Sequence, residues 1–215
     1  MTYNTIIFDL DGTLLNTLED LTDSVNYSLE THNLQKRTMD EVKSFVGNGV
    51  KRLMDLAVPT GTKDEITAEC LTMFREHYSK NMRNKTKPYD EILELLKALK
   101  EKGCKLAIVS NKFDSAVKEL CKDYYSDYIS VAIGDSPNAL KKPAPDSVYA
   151  ALAALNSTQK EALYVGDSDV DVHTAHNAGL KCVGVTWGFR TKELLEHEGA
   201  DYIIDKPLQL LNYLD

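Results

Sequence analysis

The sequence predicts an α/β protein: a doubly wound parallel sheet interrupted, after its first strand, by an all-helical insertion. Three observations support this. Short apolar runs recur at Tyr3–Leu10, Lys105–Val109, Ile129–Ile133, Ala162–Val165, Cys182–Val185 and Tyr202–Ile204. They are nearly continuous rather than alternating, as strands covered on both faces of a parallel sheet are. Helical periodicity fills the gaps between the later runs, giving the strand–helix–strand rhythm of a doubly wound domain. Finally, residues 16–87 contain helical spacing and no convincing strand.

The first strand, Tyr3–Leu10, ends among acids. Beyond it, Leu18, Leu21, Val25 and Leu29 share one helical face, Val50, Leu53, Met54 and Ala57 a second, and Ile66 to Met82 carry a third helix. This separates the first strand from the next by roughly 70 residues, whereas a crossover needs only about a dozen. The expected division is therefore a sheet domain of residues 1–15 and 88–215, with residues 16–87 a separate helical domain at the mouth of the sheet. Within the sheet domain, Tyr89–Lys102 places Ile92, Leu93, Leu95, Leu96 and Leu99 at helical spacing before Gly103, a C-terminal stop. Pro145–Leu155 and Val170–Ala178, the latter closed by Gly179, repeat the scheme. No internal repeat or low-complexity segment interrupts it.

Composition narrows the function classes. At 215 residues, 43% hydrophobic and 27% charged, the chain can bury a sizeable core. It contains no uninterrupted apolar stretch of the ~18 residues that a membrane span requires. The start, Met-Thr-Tyr-Asn, lacks the basic and apolar regions of a secretory signal, so the expected location is cytoplasmic, with no membrane partner. Cys70, Cys104, Cys121 and Cys182 lie far apart, with no Cys-x-x-Cys, and read as reduced thiols. A net charge of −8 argues against a nucleic-acid surface. An anionic small substrate requires a local positive centre that overcomes this field.

Three core runs end alike. "TIIFDLDGT" supplies Asp9, Asp11 and Thr13; "KLAIVSNK" supplies Ser110, Asn111 and Lys112; "EALYVGDSDVD" supplies Asp167, Ser168, Asp169 and Asp171. Taken singly, Ser110-Asn111 or Gly166-Asp167-Ser168 reads best as a helix N-cap, and Asp169 as a first-turn acid facing the helix dipole. Together, at the carboxyl ends of parallel strands, they should converge on one crevice. Asp9 and Asp11, two apart in extended chain, point to the same side. Two close carboxylates repel unless a cation intervenes. Magnesium fits, since it accepts a few carboxylates together with phosphate oxygens. With Asp9 neutralised it can serve as nucleophile, leaving Asp11 for proton transfer. Gly12 lets the chain turn sharply after the pair.

Asp9-Leu10-Asp11-Gly12-Thr13, Ser110, Lys142-Pro143 and Gly166-Asp167-Ser168 with Asp171 resemble the four ordered motifs of the haloacid dehalogenase superfamily. The resemblance spans essentially the whole chain. It implies a Rossmann-like core, with the insertion as that superfamily's first type of cap. It also implies that Asp9 attacks phosphorus to form an aspartyl-phosphate, and that Asp11 protonates the leaving oxygen and then activates water. Thr13, Ser110, Asn111 and Lys142 would bind the phosphoryl group. The Asp9 carboxylate, the Asp11 backbone carbonyl and the Asp167 carboxylate would ligate magnesium, with Asp171 behind them orienting water or Lys142. Phosphoryl transfer does need positive charge on the equatorial oxygens, and Lys142 in "LKKPAPD" is stiffened by Pro143 and Pro145. Without the other motifs, Lys141 and Lys142 would read as solvated lysines. The superfamily's dehalogenases lack the second aspartate, so Asp11 points to a phosphatase or phosphomutase.

In the insertion, "SFVGNGVKRLMD" brackets Asn48 with Gly47 and Gly49 ahead of Lys51 and Arg52. It reads equally as a seat for a small carboxylate or as an inter-helix turn. It is not a dinucleotide loop, because Arg52 stands where a third glycine would be. "VGNGV", "VGDSDVDVHTAHNAG" and "GVTWGFR" are similar to the phosphoglycolate phosphatase subfamily, which implies hydrolysis of 2-phosphoglycolate to glycolate. A related branch takes pyrophosphate, and looser relatives take or isomerise sugar phosphates. Asn16 departs from the acidic residue usual there, and the insertion is somewhat short. His173 and His176 read as a helical face rather than a metal pair. Trp187, Phe189 and Arg190 read as pocket lining or as a packed aromatic turn. A phosphoacceptor signalling domain and a non-catalytic binding module are the competing classes. The expected partner is a small anionic phosphate ester, and the expected assembly a monomer or homodimer.

Overall fold

The computed structural model describes residues 3–137 and 140–214. The chain divides into two compact units, one running up to Leu15 and resuming at Pro88, the other spanning Asn16–Lys87. In the first, six strands form one sheet: β1 (Thr5–Phe8), β4 (Lys105–Phe113), β5 (Val131–Asp135), β6 (Ala162–Gly166), β7 (Lys181–Val185) and β8 (Tyr202–Ile204). Their order is β5-β4-β1-β6-β7-β8 and every pairing is parallel. The order runs outward from β1 in both directions, so the crevice at the carboxyl ends of β1, β4 and β6 is the switch point where ligands of such sheets bind.

The strands are apolar on both sides because both faces are covered. Ile6, Ile7 and Phe8 are fully or almost fully buried. Ile7, Ala107, Val109 and Tyr164 pack in one cluster with Val148, Ala151 and Leu152 of α7 (Asp146–Ala154) and Val172 and Ala175 of α8 (Asp169–Asn177). Helices α5 (Ile92–Glu101), α6 (Asp114–Tyr125) and α9 (Lys192–His197) complete this unit. Gly103 and Gly179 follow α5 and α8 at φ 78° and 73°, the left-handed stop expected of them.

Several boundaries differ from the sequence expectation. β1 stops at Phe8, because the backbone turns where Gly12 takes φ 85° and the N–H groups of Thr13, Leu14 and Leu15 return to the Leu10 carbonyl. β4 continues to Phe113, with a register shift against β5 after Val109. Ser110, Asn111 and Lys112 therefore lie in buried strand rather than in a loop after it. α5 begins three residues later than its apolar pattern, after Glu91 at φ 64°.

The second unit is helical: α1 (Leu18–Thr31), α2 (Met39–Phe45), α3 (Gly49–Ala57) and α4 (Asp64–Asn81). Its core is formed by Leu21, Val25 and Leu29, by Val42, by Val50, Leu53, Met54 and Ala57, and by Cys70, Phe74 and Tyr78. The buried carboxylate of Asp20 in α1 accepts the N–H groups of Lys85 and Thr86 and the Thr86 hydroxyl, pinning the end of this unit to its start. The two-residue strands β2 (Leu15–Asn16) and β3 (Lys87–Pro88) mark where the chain leaves and re-enters the sheet unit. All four cysteines are free.

Candidate active site

The site is built where β1, β4, β6 and β7 end. After β1 the chain turns through Gly12, which has no room for a side chain: a carbon there would lie 2.4 Å from Asp167 Oδ2. Gly188, after β7, also abuts Asp167: an added carbon there would lie 2.3 Å from Asp167 Cβ and 2.5 Å from its Oδ2. Asp167 is thus packed closely against two glycine backbones. Its Oδ1 accepts from the Thr13 hydroxyl at 3.2 Å and its Oδ2 from the Phe189 N–H at 2.7 Å. Trp187 Nε1 donates to the Thr13 carbonyl at 3.0 Å, lacing the loop after β7 to the loop after β1. The Trp187–Phe189 turn is a packed support of the site.

Lys142 is fixed through its backbone. Its N–H donates to Asn111 Oδ1 at 2.9 Å, and Asn111 Nδ2 donates to its carbonyl at 3.0 Å; the Lys142–Pro143 bond is cis. The Asn111 amide, expected among the phosphate ligands, is therefore committed to placing Lys142. The ammonium donates to Asp171 Oδ1 at 2.7 Å and to the Tyr164 hydroxyl at 3.0 Å, and stands 3.0 Å from Asp9 Oδ1. Asp171 in turn accepts from the Ser168 N–H and hydroxyl, while Ser168 caps α8. Ser168 is thus the N-cap that its position suggested, and Asp171 is its reciprocal partner in a capping box.

These groups perturb one another. Burial pushes Asp9 up to about 7, with Lys142 opposing and the charges of Asp171 and Asp11 adding to the rise. Burial also drives Asp167 well above the carboxylate range, helped by Asp171 and Asp9 and opposed by the Phe189 N–H and Arg190. Burial disfavours the Lys142 ammonium, yet Asp171 and Asp9 outweigh that and hold it well above its ordinary value. One oxygen from each of Asp9, Asp167 and Asp171 lies within 4.8 Å of the other two. Asp9 Oδ1 is buried and, apart from the ammonium beside it, has no partner among the described residues. Three buried carboxylates facing one lysine are short of positive charge. The donor set, all hard oxygens, fits magnesium. The oxygens of Asp171 are spent on Lys142, Tyr164 and Ser168, in keeping with an orienting role behind Asp9 and Asp167.

Asp11 turns to a different partner. Lys112 Nζ donates to both of its oxygens, at 2.9 and 3.1 Å. The Lys112 N–H reaches the hydroxyl of buried Ser110 at 3.4 Å. Sequence reasoning placed Lys112 at the strand end without giving it work, and did not single out Tyr164. A tyrosine inside the apolar run "ALYVG" was the available signal, since a buried phenol needs a partner. Burial and the charges of Asp167 and Asp11 also push the Tyr89 phenol up.

The remaining candidates lie outside this network. Asp169 is 3.7 Å from the Arg190 guanidinium in the first turn of α8. His173 pairs with Glu198 at 2.8 Å and His176 with Asp201 at 3.1 Å, so each has its own carboxylate rather than a shared metal. In the helical unit, Gly47 and Gly49 take φ 127° and 83° around Asn48, and Gly49 opens α3. Lys51 pairs with Asp55 at 2.9 Å and Arg52 is exposed. Asn16 Oδ1 accepts the Leu18 N–H at 3.3 Å.

Residues 6–185 match the profile of the family described as haloacid dehalogenase-like hydrolase. The chain belongs to that family. It is 34% identical over 211 residues to the phosphoglycolate phosphatase of Aquifex aeolicus, covering 98% of this chain and 96% of that one. It is 33% identical to the phosphoglycolate phosphatase of Haemophilus influenzae strain 86-028NP, covering 99% and 98%. A Caldanaerobacter subterraneus protein named for a pyrophosphatase, PpaX, is 34% identical, covering 100% and 96%. The crystal structure of a predicted phosphoglycolate phosphatase from Haemophilus somnus 129PT superposes with a TM-score of 0.90 at 30% identity, covering 99% and 98%. No helix among the described residues is long and apolar enough to cross a membrane.

Proposed function

We propose that this hydrolase is a magnesium-dependent phosphatase that works through an aspartyl-phosphate on Asp9, with 2-phosphoglycolate as substrate. The observation that carries the reading is the buried Asp9 Oδ1, unpartnered except for Lys142 and set beside Asp167. The Asp9 and Asp167 carboxylates and the Asp11 backbone carbonyl would hold magnesium. When bound, it supplies the positive charge that this acid cluster lacks and shields Asp9 from the incoming phosphate.

In the first half-reaction an Asp9 oxygen attacks phosphorus, the bond to the ester oxygen breaks, and that oxygen takes a proton from Asp11. In the second, Asp11 takes a proton from water as the water oxygen attacks phosphorus. The bond to Asp9 then breaks and inorganic phosphate leaves. Lys142, placed by Asn111 and Tyr164, holds the phosphoryl oxygens with Ser110 and Thr13. Stabilising those oxygens is the main task in phosphoryl transfer. Proton transfer falls to Asp11, which lies two residues from Asp9 and whose oxygens face the Lys112 ammonium, while Asp167 and Asp171 are engaged by Thr13, Phe189, Ser168 and Tyr164.

Residues 16–87 serve as a cap that excludes water during turnover, with Gly47, Asn48, Gly49, Lys51 and Arg52 as its specificity loop. The names of the Aquifex and Haemophilus relatives support 2-phosphoglycolate. Pyrophosphate is the second reading, supported by the Caldanaerobacter relative. Repeated release of phosphate from p-nitrophenyl phosphate with magnesium, stopped by EDTA and restored by the metal, is expected. One phosphoryl group bound per chain without turnover would instead indicate a phosphoacceptor. Ranking 2-phosphoglycolate, pyrophosphate and glucose 1-phosphate by kcat/KM decides the substrate.

A further inference from the structure

We propose that Lys112 is a specificity residue: it receives a negative charge carried by the leaving group. It would thereby select phosphate compounds whose leaving group carries a further anionic group close to the ester or anhydride oxygen. The proposal rests on the phosphatase reading above and names the feature of the substrate that this site recognises.

Lys112 and Lys142 are the lysines buried among the described residues, in a chain of net charge −8. Both are at this one site, and a buried ammonium is costly unless anions face it. The two are used differently. Lys142 is committed to Asp9 and Asp171, where the transferred phosphoryl group binds. Lys112, in β4 beside Ser110, addresses both oxygens of Asp11, and its side chain is only 1% exposed. Two buried cations suit a substrate with two anionic groups.

Position identifies the second group. Asp11 must touch the leaving oxygen in order to protonate it, so an ammonium bonded to both Asp11 oxygens stands at the leaving-group side. A carboxylate on the carbon next to the leaving oxygen, as in 2-phosphoglycolate, would project there. So would the outer phosphate of pyrophosphate. The donors of a lysine ammonium turn freely about its terminal bond and can re-aim toward an incoming anion. A neutral leaving group would gain nothing from them.

The test compares the magnesium-loaded full chain with its Lys112→Met, Lys112→Gln and Lys112→Arg variants. The substrates are 2-phosphoglycolate, pyrophosphate and ethyl phosphate, the last having the glycolate skeleton without its charge. The expected result is a fall of about 10- to 100-fold in the kcat/KM ratio of an anionic substrate over ethyl phosphate, the worth of one charge-assisted hydrogen bond. The fall should lie mainly in KM, occur in both the Met and Gln variants, and be largely restored by Arg. Should the Met variant not fold, Gln keeps a donor toward Asp11 and decides the question alone. A fall for 2-phosphoglycolate identifies a carboxylate as the second anion, and a fall for pyrophosphate alone identifies a phosphate. Equal losses on charged and neutral substrates would mean that Lys112 only props Asp11, and would overturn the proposal. Failure of the phosphatase reading would look different: no turnover of any of the three substrates by the unmodified chain.

Discussion

The acid cluster at the end of the sheet and the Gly47–Arg52 turn of the helical unit are both short, polar and glycine-punctuated, yet they are built in opposite ways. In the cluster, Asp9, Asn111, Lys142, Asp167 and Asp171 are all buried, and their placements are reciprocal: Asn111 grips Lys142 from both sides, while Ser168 and Asp171 cap each other. In the turn, Lys51 makes one exposed pair one helical turn away and Arg52 faces solvent. A site that must place charge to a fraction of an ångström is over-determined by hydrogen bonds. A segment with the proposed task of meeting the variable part of a substrate can be left adjustable.

The largest effect should come from the centre of the over-determined half. Asp9→Asn should lower kcat by at least about 10⁴-fold, as loss of a nucleophile does elsewhere, while the fold persists by circular dichroism. Retained turnover would return the cluster to a purely structural role. Lys142→Met should follow, at roughly 10²- to 10³-fold in kcat/KM. Because it leaves Asp9 and Asp171 facing each other without a cation, it should also cost about 3 kcal/mol of stability or more in the metal-free protein. Urea unfolding in EDTA measures that cost, and added magnesium should recover part of it.

Charge shortage also gives the cluster a pH signature. Asp9 is raised from 3.8 to about 7 by burial, and Asp167 is raised as well. An acid whose folded value exceeds its unfolded value holds more protons when folded, so its contribution to stability is greatest below about pH 4 and declines as pH rises toward 7. In EDTA, this part of the thermal stability should fall across that window. Magnesium should offset the fall, so the difference in Tm between the two conditions should widen as pH rises. A difference independent of pH would mean that these carboxylates do not share a cation. Smaller still is Tyr164→Phe, which removes one hydroxyl between Lys142, Asp171 and the Val109 carbonyl. About 1 kcal/mol of stability and a several-fold loss in kcat are expected.

The same contrast explains what could be read from the sequence. The order of strands and helices was legible because apolar periodicity reports burial directly. Asp9, Asp11 and Asp167 were legible because acids gathered at the ends of parallel strands have few structural uses together, and Lys142 through the resemblance of Lys142-Pro143 to a family motif. The parts that escaped depend on long-range pairing. Nothing local to Asn111 says that its amide will close on Lys142, 31 residues away, and nothing local to Lys112 announces Asp11. Tyr164 looked like core because it is core, with only its hydroxyl reaching the site. The extension of β4 past Val109 was hidden for a related reason: Ser110-Asn111-Lys112 is polar, and only partners from elsewhere in the fold allow it to be buried strand.

The smallest expected effect tests the adjustable half. Lys51→Ala breaks an exposed ion pair with Asp55, which is worth about 0.3–0.5 kcal/mol, so stability should hardly move. Arg52→Ala removes an exposed charge and should act similarly. On p-nitrophenyl phosphate, both variants should stay within about twofold of the parent, because that substrate carries no second anionic group for these residues to bind. The informative measurement is the same pair of variants on 2-phosphoglycolate. If recognition of the second anion resides in the buried Lys112, the losses should remain below those of Lys112→Met. Losses larger than that, confined to the charged substrate, would move specificity out of the sheet and into the turn. The division between a fixed chemical half and an adjustable one would then have to be redrawn, with the Gly47–Arg52 segment ordering itself around the substrate rather than merely tolerating it.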